Sequence, residues 1–306
     1  MKTSRILVIG LIVAAFTAGL AATASAIPVF ARKYGFSCTM CHSAPPRLND
    51  FGTRYRANGY RLPGREQDEK TVLESPAPVA FRTAGGYFFE SISNVPDAEN
   101  TSVFRMSGLD LLSAGLFSKS IGYVMVYTPQ IEESRYVEGQ PGALEMASVV
   151  FSRVGSPYVN LRAGRFEPAY AAFSVKRHLS ISPYDIYEYG APGGVVFSET
   201  QSGLEIAGYG RGWNYAAGWV GGSETNRSDD VPADAYARIA TVIGAGEGQT
   251  AGQRIGVTGY LGSARPDTGL TVPEFSRETF YRIGVDVSLN YGIANLAAQY
   301  LYGKDN

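Results

Sequence analysis

Five consecutive residues, Cys38-Thr39-Met40-Cys41-His42, hold both cysteines of this 306-residue chain and one of its two histidines. Two thiols separated by two residues and followed at once by an imidazole match the attachment signature of c-type haem. Each thiol adds to a vinyl group of the porphyrin, and the histidine ligates the iron from one face. The spacing has a physical basis, because two anchors fix one edge of the macrocycle while the adjacent imidazole swings beneath the metal. A disulfide or a thioredoxin-like redox pair is the competing use of such a motif, and the redox pair needs a βαβ context that this sequence lacks. A zinc site needs further ligands, and there is no third cysteine. The reading is one covalent haem c on Cys38 and Cys41, with His42 as the proximal iron ligand.

The sixth iron position stays open at this level. The other imidazole, His178, stands in the irregular stretch FEPAYAAFSVKRHLSISPYDIYEYGAPGG, which a long loop can fold toward a haem. Beside Lys176 and Arg177 the same residue equally suits a solvated surface. Met106, Met125 and Met146 fall in strand-like segments, where a lone methionine is ordinary packing. Met40, inside the haem box, is badly placed to wrap to the opposite face. A water-bound or open position is the remaining choice.

The elements that must position these residues divide the chain into four parts. Residues 1–26 carry a basic start (Lys2, Arg5), an apolar run from Ile6 to Ala22 and Ala24-Ser25-Ala26, which read as a cleaved secretory signal peptide rather than a retained helix. Residues 27–65 form the haem-binding head. Here Pro45-Pro46 stiffens a loop, a short helix follows with Leu48, Phe51 and Tyr55 on one face, Gly59 stops it, and Pro63-Gly64 closes the unit. At about forty residues this head is too small to rely on a protein core alone. Between Ile27 and Arg65 it has seven basic residues against one acidic residue, Asp50. That excess serves haem propionates, a solvated face, or docking to something acidic. Residues 66–80 read as a linker.

From residue 81 to 306 hydrophobicity alternates with period two. In TFYRIGVDVSLN the residues Tyr281, Ile283, Val285, Val287 and Leu289 point one way, and Arg282, Asp286, Ser288 and Asn290 the other. WNYAAGWV sets Trp213, Tyr215, Ala217 and Trp219 on one face. About ten such segments, near the nine to eleven residues of a tilted membrane strand, alternate with turn-rich pieces. A soluble β-sandwich or propeller shows the same period. The absence of a blade-length repeat and the isolated charges among Gly and Ala favour a barrel with a polar lumen. The fold expected is therefore mainly β: a transmembrane antiparallel β-barrel preceded by a small α-helical c-type haem-binding domain. The final residues Tyr302 to Asn306 look like a strand passing into a turn, as in a barrel truncated at its C-terminus. Glu90, Asp110, Glu145, Glu205 and Asp286 are candidate lumen carboxylates, either as hard oxygen ligands for iron(II), as docking groups for the head, or as plain channel lining. No catalytic triad, phosphate loop or nucleic-acid signature occurs, and a net charge of −1 argues against a polyanion partner.

The run IPVFARKYGFSCTMCHSAPPRLNDFGTRYRANGYRLP resembles the head of the fused monohaem cytochrome and porin proteins of the bacterial outer membrane, the group that includes iron-oxidising outer-membrane cytochromes. The matching elements are Phe30 to Tyr34, Cys38 to His42, Pro46, Leu48-Asn49, Phe51-Gly52 and Asn58-Gly59-Tyr60, about an eighth of the chain. The resemblance implies a haem held on the periplasmic side or in the lumen of an outer-membrane barrel. It further implies one-electron transfer from an extracellular donor such as Fe(II) to a periplasmic electron-carrier cytochrome, hence an iron(II) oxidase activity. Two other classes fit the same residues: a porin whose haem head is a sensor or plug, and a haem enzyme such as a peroxidase.

Overall fold

The computed structural model describes residues 29–44, 47–66, 68–75, 79–91, 101–129, 143–170, 174, 184–188, 190, 195–210, 212–221, 234–244, 252–264, 278–292 and 294–305. The signal-peptide reading, His178 and Pro45-Pro46 therefore lie outside the described residues, as do the side chains of Glu90 and Met106. The chain forms two compact units, Met1–Phe36 and Ser37–Asn306. In the first, helix α1 (Val29–Tyr34) carries Tyr34, whose ring stacks on Phe36 with centroids 5.3 Å apart and lies under the Lys33 ammonium at 4.8 Å.

The second unit begins with the haem-box segment. A 3-10 turn (Cys38–Met40) leads into strand β1 (His42–Ala44), which pairs with the two-residue β2 (Arg47–Leu48), and helix α2 (Asp50–Ala57) follows. Phe51 and Tyr55, one turn apart, are buried as their spacing predicts. Leu48 is not helical, because Asn49 caps the helix: its side-chain oxygen accepts from the Gly52 N–H at 2.9 Å. At the other end Asn58 closes the last turn, and Gly59 and Tyr60 both adopt positive φ, 66° and 64°. Gly59 does so freely; Tyr60 is held there by its N–H bond to the Tyr55 carbonyl at 3.0 Å.

Apart from the short helix α3 (Asp185–Glu188), the rest of the described residues centre on one antiparallel sheet of eleven strands in sequence order. These are β3 (Val79–Glu90), β4 (Thr101–Ser118), β5 (Ile121–Thr128), β6 (Ala143–Ser152), β7 (Asn160–Phe166), β8 (Gln201–Gly210), β9 (Trp213–Val220), β10 (Asp234–Ile243), β11 (Gln253–Ala264), β12 (Glu278–Tyr291) and β13 (Ala294–Asp305). Strand β13 runs on through Asp305 rather than passing into a turn, which corrects the expectation for that segment. β3 and β13 are the outermost strands, and no pairing joins them among the described residues.

The period-two pattern sorts side chains in the reverse of a soluble sheet. In β10, Asp234, Tyr236, Arg238, Ala240 and Val242 are buried, while Ala235, Ala237, Ile239, Thr241 and Ile243 are exposed. In β12, Asp286 is 4% exposed and its neighbour Val285 is 50% exposed. The outward row is continuous across strands: Tyr215 faces Ile239, Ile239 faces Val257, Val257 faces Val285, and Val285 faces Tyr300. On the inner face small residues make room for large ones. A Cβ on Gly218 would strike the Tyr236 ring, and one on Gly256 would strike the Arg238–Asp286 pair.

The sheet curls around the segment that carries helix α2. Asn58 accepts from the Ser152 hydroxyl of β6 at 3.2 Å, and Gly59 lies against Gly122 of β5 and Val150 of β6. On the other side Arg47 donates to Asn290 Oδ1 of β12 at 3.2 Å. In a flat sheet β6 and β12 would stand about 29 Å apart, six strand spacings. Helix α2 spans only about 12 Å. Further ties run from Arg61, whose guanidinium donates to the Lys119 carbonyl at 2.5 Å, and from the Val72 N–H to the Leu116 carbonyl at 2.9 Å. Within residues 66–80, expected as a linker, Glu69 and Val72 thus touch the β4–β5 hairpin, Glu69 through its carbonyl to the Lys119 ammonium. The Glu66 carboxyl anchors this turn. Burial alone would push it up, but bonds from the Gly64 N–H and Asn58 outweigh that and hold it below the usual carboxylate range.

The tightest point of the docking is Gly122, where a methyl would collide with the Gly59 carbonyl. Gly122→Ala is expected to lower stability by about 1–3 kcal/mol. It should also speed amide hydrogen exchange in residues 47–61 while leaving exchange in β9–β12 unchanged, as read by mass spectrometry.

Candidate functional site: the Cys38–His42 turn and the wall behind it

The Cys38–His42 turn is organised by one side chain. Asn49 Nδ2 donates to the carbonyls of Thr39 at 3.1 Å and Met40 at 3.0 Å, and its backbone N–H donates to the Cys41 carbonyl at 2.9 Å. With the bond to Gly52 already described, a single asparagine closes the turn and starts the helix. Gly52 is there for space, since a Cβ would overlap the Cys41 carbonyl and reach 2.9 Å from Leu48 Cδ2. His42 is registered opposite Leu48. Arg47 donates to Ser43 Oγ at 2.9 Å and, through the Asn290 contact, fastens the ladder beside His42 to the sheet.

Both thiols are free. Cys38 is exposed and Cys41 half-buried, so the motif presents one open thiol and one sheltered thiol. Burial, followed by the neighbouring Cys38, pushes the Cys41 thiol up to about 11.

Behind α2 lies a cavity of about 90 Å³, bounded by Thr53, Arg56 and Ala57 of the head and by Arg162, Glu205 and Asn214 of the wall. The four candidate carboxylates whose side chains are described, Asp110, Glu145, Glu205 and Asp286, are engaged by other groups. Asp110 pairs with Arg82 at 3.1 Å and accepts from Thr128 at 3.0 Å. Glu205 pairs with Arg162 at 3.0 Å, and Asp286 takes Arg238 in a bidentate pair at 2.8 and 2.9 Å. Glu145 accepts from Thr128 at 3.4 Å. Among the described residues no three His, Cys, Asp or Glu side chains converge as metal ligands. The carboxylates thus act as arginine and hydroxyl partners that hold the wall together. Met125 is exposed and Met146 half-buried in their strands.

Tyr170 from the β7–β8 connection rests its ring edge on Tyr236 and Tyr260 and donates to the Phe197 carbonyl at 2.7 Å. The sequence reading missed this aromatic cluster, although its Tyr and Phe density was visible. It also missed Arg47 and Arg61, which are buried fastenings between head and sheet, a use outside the three assigned to the head's basic excess.

No family model matches this chain, and no curated protein does either.

Removing the organising amide tests the turn. In protein with unmodified thiols, Asn49→Ala should cost about 1–2 kcal/mol of stability through the lost cap, and should raise the rate of Cys41 alkylation at pH 8. In the parent, with a thiol pKa of about 11, alkylation of Cys41 should accelerate about tenfold per pH unit from pH 8 to pH 10. Peptide mapping resolves the two cysteines.

Proposed function

We propose that this protein is an outer-membrane electron-transfer protein. It moves single electrons between an extracellular donor such as Fe(II) and a periplasmic cytochrome, by way of one haem c attached at Cys38 and Cys41. The observation that carries the reading is the inverted sheet: charges buried around a small cysteine-bearing head, aliphatic and aromatic side chains turned outward. Exposed apolar surface this continuous is costly in water and favourable in lipid. The proposed barrel is the eleven strands curled round the head, with hydrocarbon as the occupant of the outer face.

The connections support an orientation. Residues 119–120, 153–159, 211–212, 244–252 and 292–293 join strands at the head's end, and residues 91–100, 129–142, 167–200, 221–233 and 265–277 at the other. Bacterial outer-membrane barrels have short turns on the periplasmic side and longer loops outside. The head then faces the periplasm, where a soluble carrier can reach it.

The residues fit a covalently held porphyrin. Cys38 and Cys41 are free thiols at the two ends of one turn, His42 follows directly, and Asn49 and Gly52 hold the turn against α2. When bound, the haem supplies a one-electron Fe(III)/Fe(II) couple. The chain's part is to anchor it through Cys38 and Cys41, offer the His42 imidazole to the iron, and keep the head fixed by Arg47, Arg61 and Gly59. The same insertion favours one second reading, a porin plugged by its haem head, because the head occupies the space that a solute path would need.

The deciding experiment uses haem-loaded protein in liposomes. Fe(II) outside should reduce an enclosed cytochrome, while small-solute conductance stays low. No electron passage, with solute conductance that rises when the head is undocked as in Gly122→Ala, would establish the plug instead, and a correctly matured protein without haem absorbance would remove both. For the membrane itself, Val285→Arg is expected to destabilise the protein in lipid by about 2–4 kcal/mol. On a solvated surface the same change would stay within about 0.5 kcal/mol.

A further inference from the structure

Within the buried core, Tyr170, Phe197, Tyr236 and Tyr260 pack as one group of rings. The Tyr236 and Tyr260 rings are within 4° of parallel with centroids 6.4 Å apart, and Tyr170 meets both edge-on at 5.5 and 5.6 Å. Phe197 adjoins Tyr260 at 4.9 Å. Phenylalanine at the three tyrosine positions would bury the same rings with no hydroxyl to satisfy. The Tyr170 hydroxyl ends on the Phe197 carbonyl at 2.7 Å, which is all that a buried phenol requires.

The other two hydroxyls end on carboxylates. Tyr260 Oη donates to Asp234 Oδ2 at 2.6 Å, and Tyr236 Oη donates to Glu205 Oε2. None of these four residues is more than 4% exposed. Further donors fix each carboxylate: the Ser263 N–H on Asp234 Oδ1 at 3.0 Å, the Ala169 N–H on Glu205 Oε2 at 3.1 Å and Arg162 on Glu205 Oε1 at 3.0 Å. A carboxylate is a more demanding acceptor to bury than a carbonyl, because its charge must leave water. What it adds is a place for the proton. A phenol that loses an electron becomes a strong acid, and in a buried site it can be oxidised only as fast as a touching base takes that proton. Both phenols have such a base at hydrogen-bond distance.

We infer that Tyr236 and Tyr260 form a redox-active pair that yields one electron to a strong one-electron oxidant, while the phenolic proton passes to Glu205 or Asp234. The phenol becomes a neutral phenoxyl radical, the carboxylate becomes a carboxylic acid, and the oxidant is reduced by one electron. A reductant such as Fe(II) returns the electron and is itself oxidised to Fe(III), and the proton goes back along the same bond. The oxidant is of the class that hydrogen peroxide generates at a haem iron. Through Glu205 and Arg162 the pair stands one ion pair from the cavity that Thr53, Arg56 and Ala57 of the head border. An oxidising equivalent formed at the head is thereby held on the wall, away from the Cys38–His42 turn. Only this source of the oxidant rests on the haem reading; the pair itself does not.

The test uses the full-length protein in detergent, freeze-quenched after oxidation and read by electron paramagnetic resonance. In one arm the oxidant is photogenerated tris(bipyridine)ruthenium(III), which needs no haem. In the other it is hydrogen peroxide, added to protein whose haem absorbance has been verified. A tyrosyl signal is expected that lasts at least about tenfold longer in the parent than in the Tyr236→Phe/Tyr260→Phe double variant, which keeps both rings and their packing. Asp234→Asn retains an acceptor for Tyr260 but no base, and combined with Tyr236→Phe it should shorten the signal as the double variant does. Equal lifetimes in the parent and the double variant would overturn the inference by placing the radical on other tyrosines. So would the absence of any tyrosyl signal in the ruthenium arm, or a signal indifferent to Asp234→Asn in the Tyr236→Phe background. A long-lived signal in the ruthenium arm alone would uphold the pair and exclude the haem as its source of oxidant.

Discussion

A charge taken out of water must meet its counter-charge, and that requirement shapes the whole inner face of this sheet. Arg82 with Asp110, Arg162 with Glu205, and Arg238 with Asp286 each join strands that are neighbours or next-but-one neighbours. Truncating one partner of such a pair leaves an uncompensated ion and is far more damaging than removing both. The pairs also fix which way every strand faces. A one-residue slip of register would turn arginines outward and isoleucines inward, so the electrostatic requirement and the hydrophobic pattern select the same register.

The head depends on that wall. Its own core is little more than Phe51 and Tyr55, too little to order a segment of this size. Most of its fixed geometry comes from outside: Arg47 on Asn290, Arg61 on the Lys119 carbonyl, Asn58 on Ser152, and the close passage of Gly59 by Gly122. The Cys38–His42 turn is then held from within by Asn49. Any chemistry placed on that turn inherits its position from strands far away in sequence.

Local rules and distant contacts were unequally legible in the sequence. The Cys38–His42 motif is complete within five adjacent residues, and its turn is closed by the nearby Asn49. The strands of the second half announced themselves because their alternation is complete within each segment, as in β9 and β12, and the inner and outer faces divide as that alternation requires. The helix after the motif was legible from Phe51 and Tyr55, but its start was displaced: Leu48 fits the apolar face, and only the capping geometry of Asn49 excludes it. Gly59 reads as a helix stop and is one, yet the same residue is a point of backbone contact with β5 that no local pattern announces. Arg47 and Arg61 look like surface charge because their partners stand 243 and 58 residues away. The long β7–β8 connection reads as irregular, and its packing against Tyr236 and Tyr260 follows from the curl of the sheet rather than from its own composition.

The unequal lengths of the strand connections carry an evolutionary consequence. At the head's end, the two-residue turn at 119–120 stands beside the Gly59–Gly122 contact, so an insertion there is penalised by misfit. At the opposite end, longer segments can lengthen, shorten or change composition without disturbing a ladder. One rim of the molecule is thereby conservative and the other free to diversify. Descendants of this fold can acquire new chemistry at that rim while inheriting the same inner architecture intact.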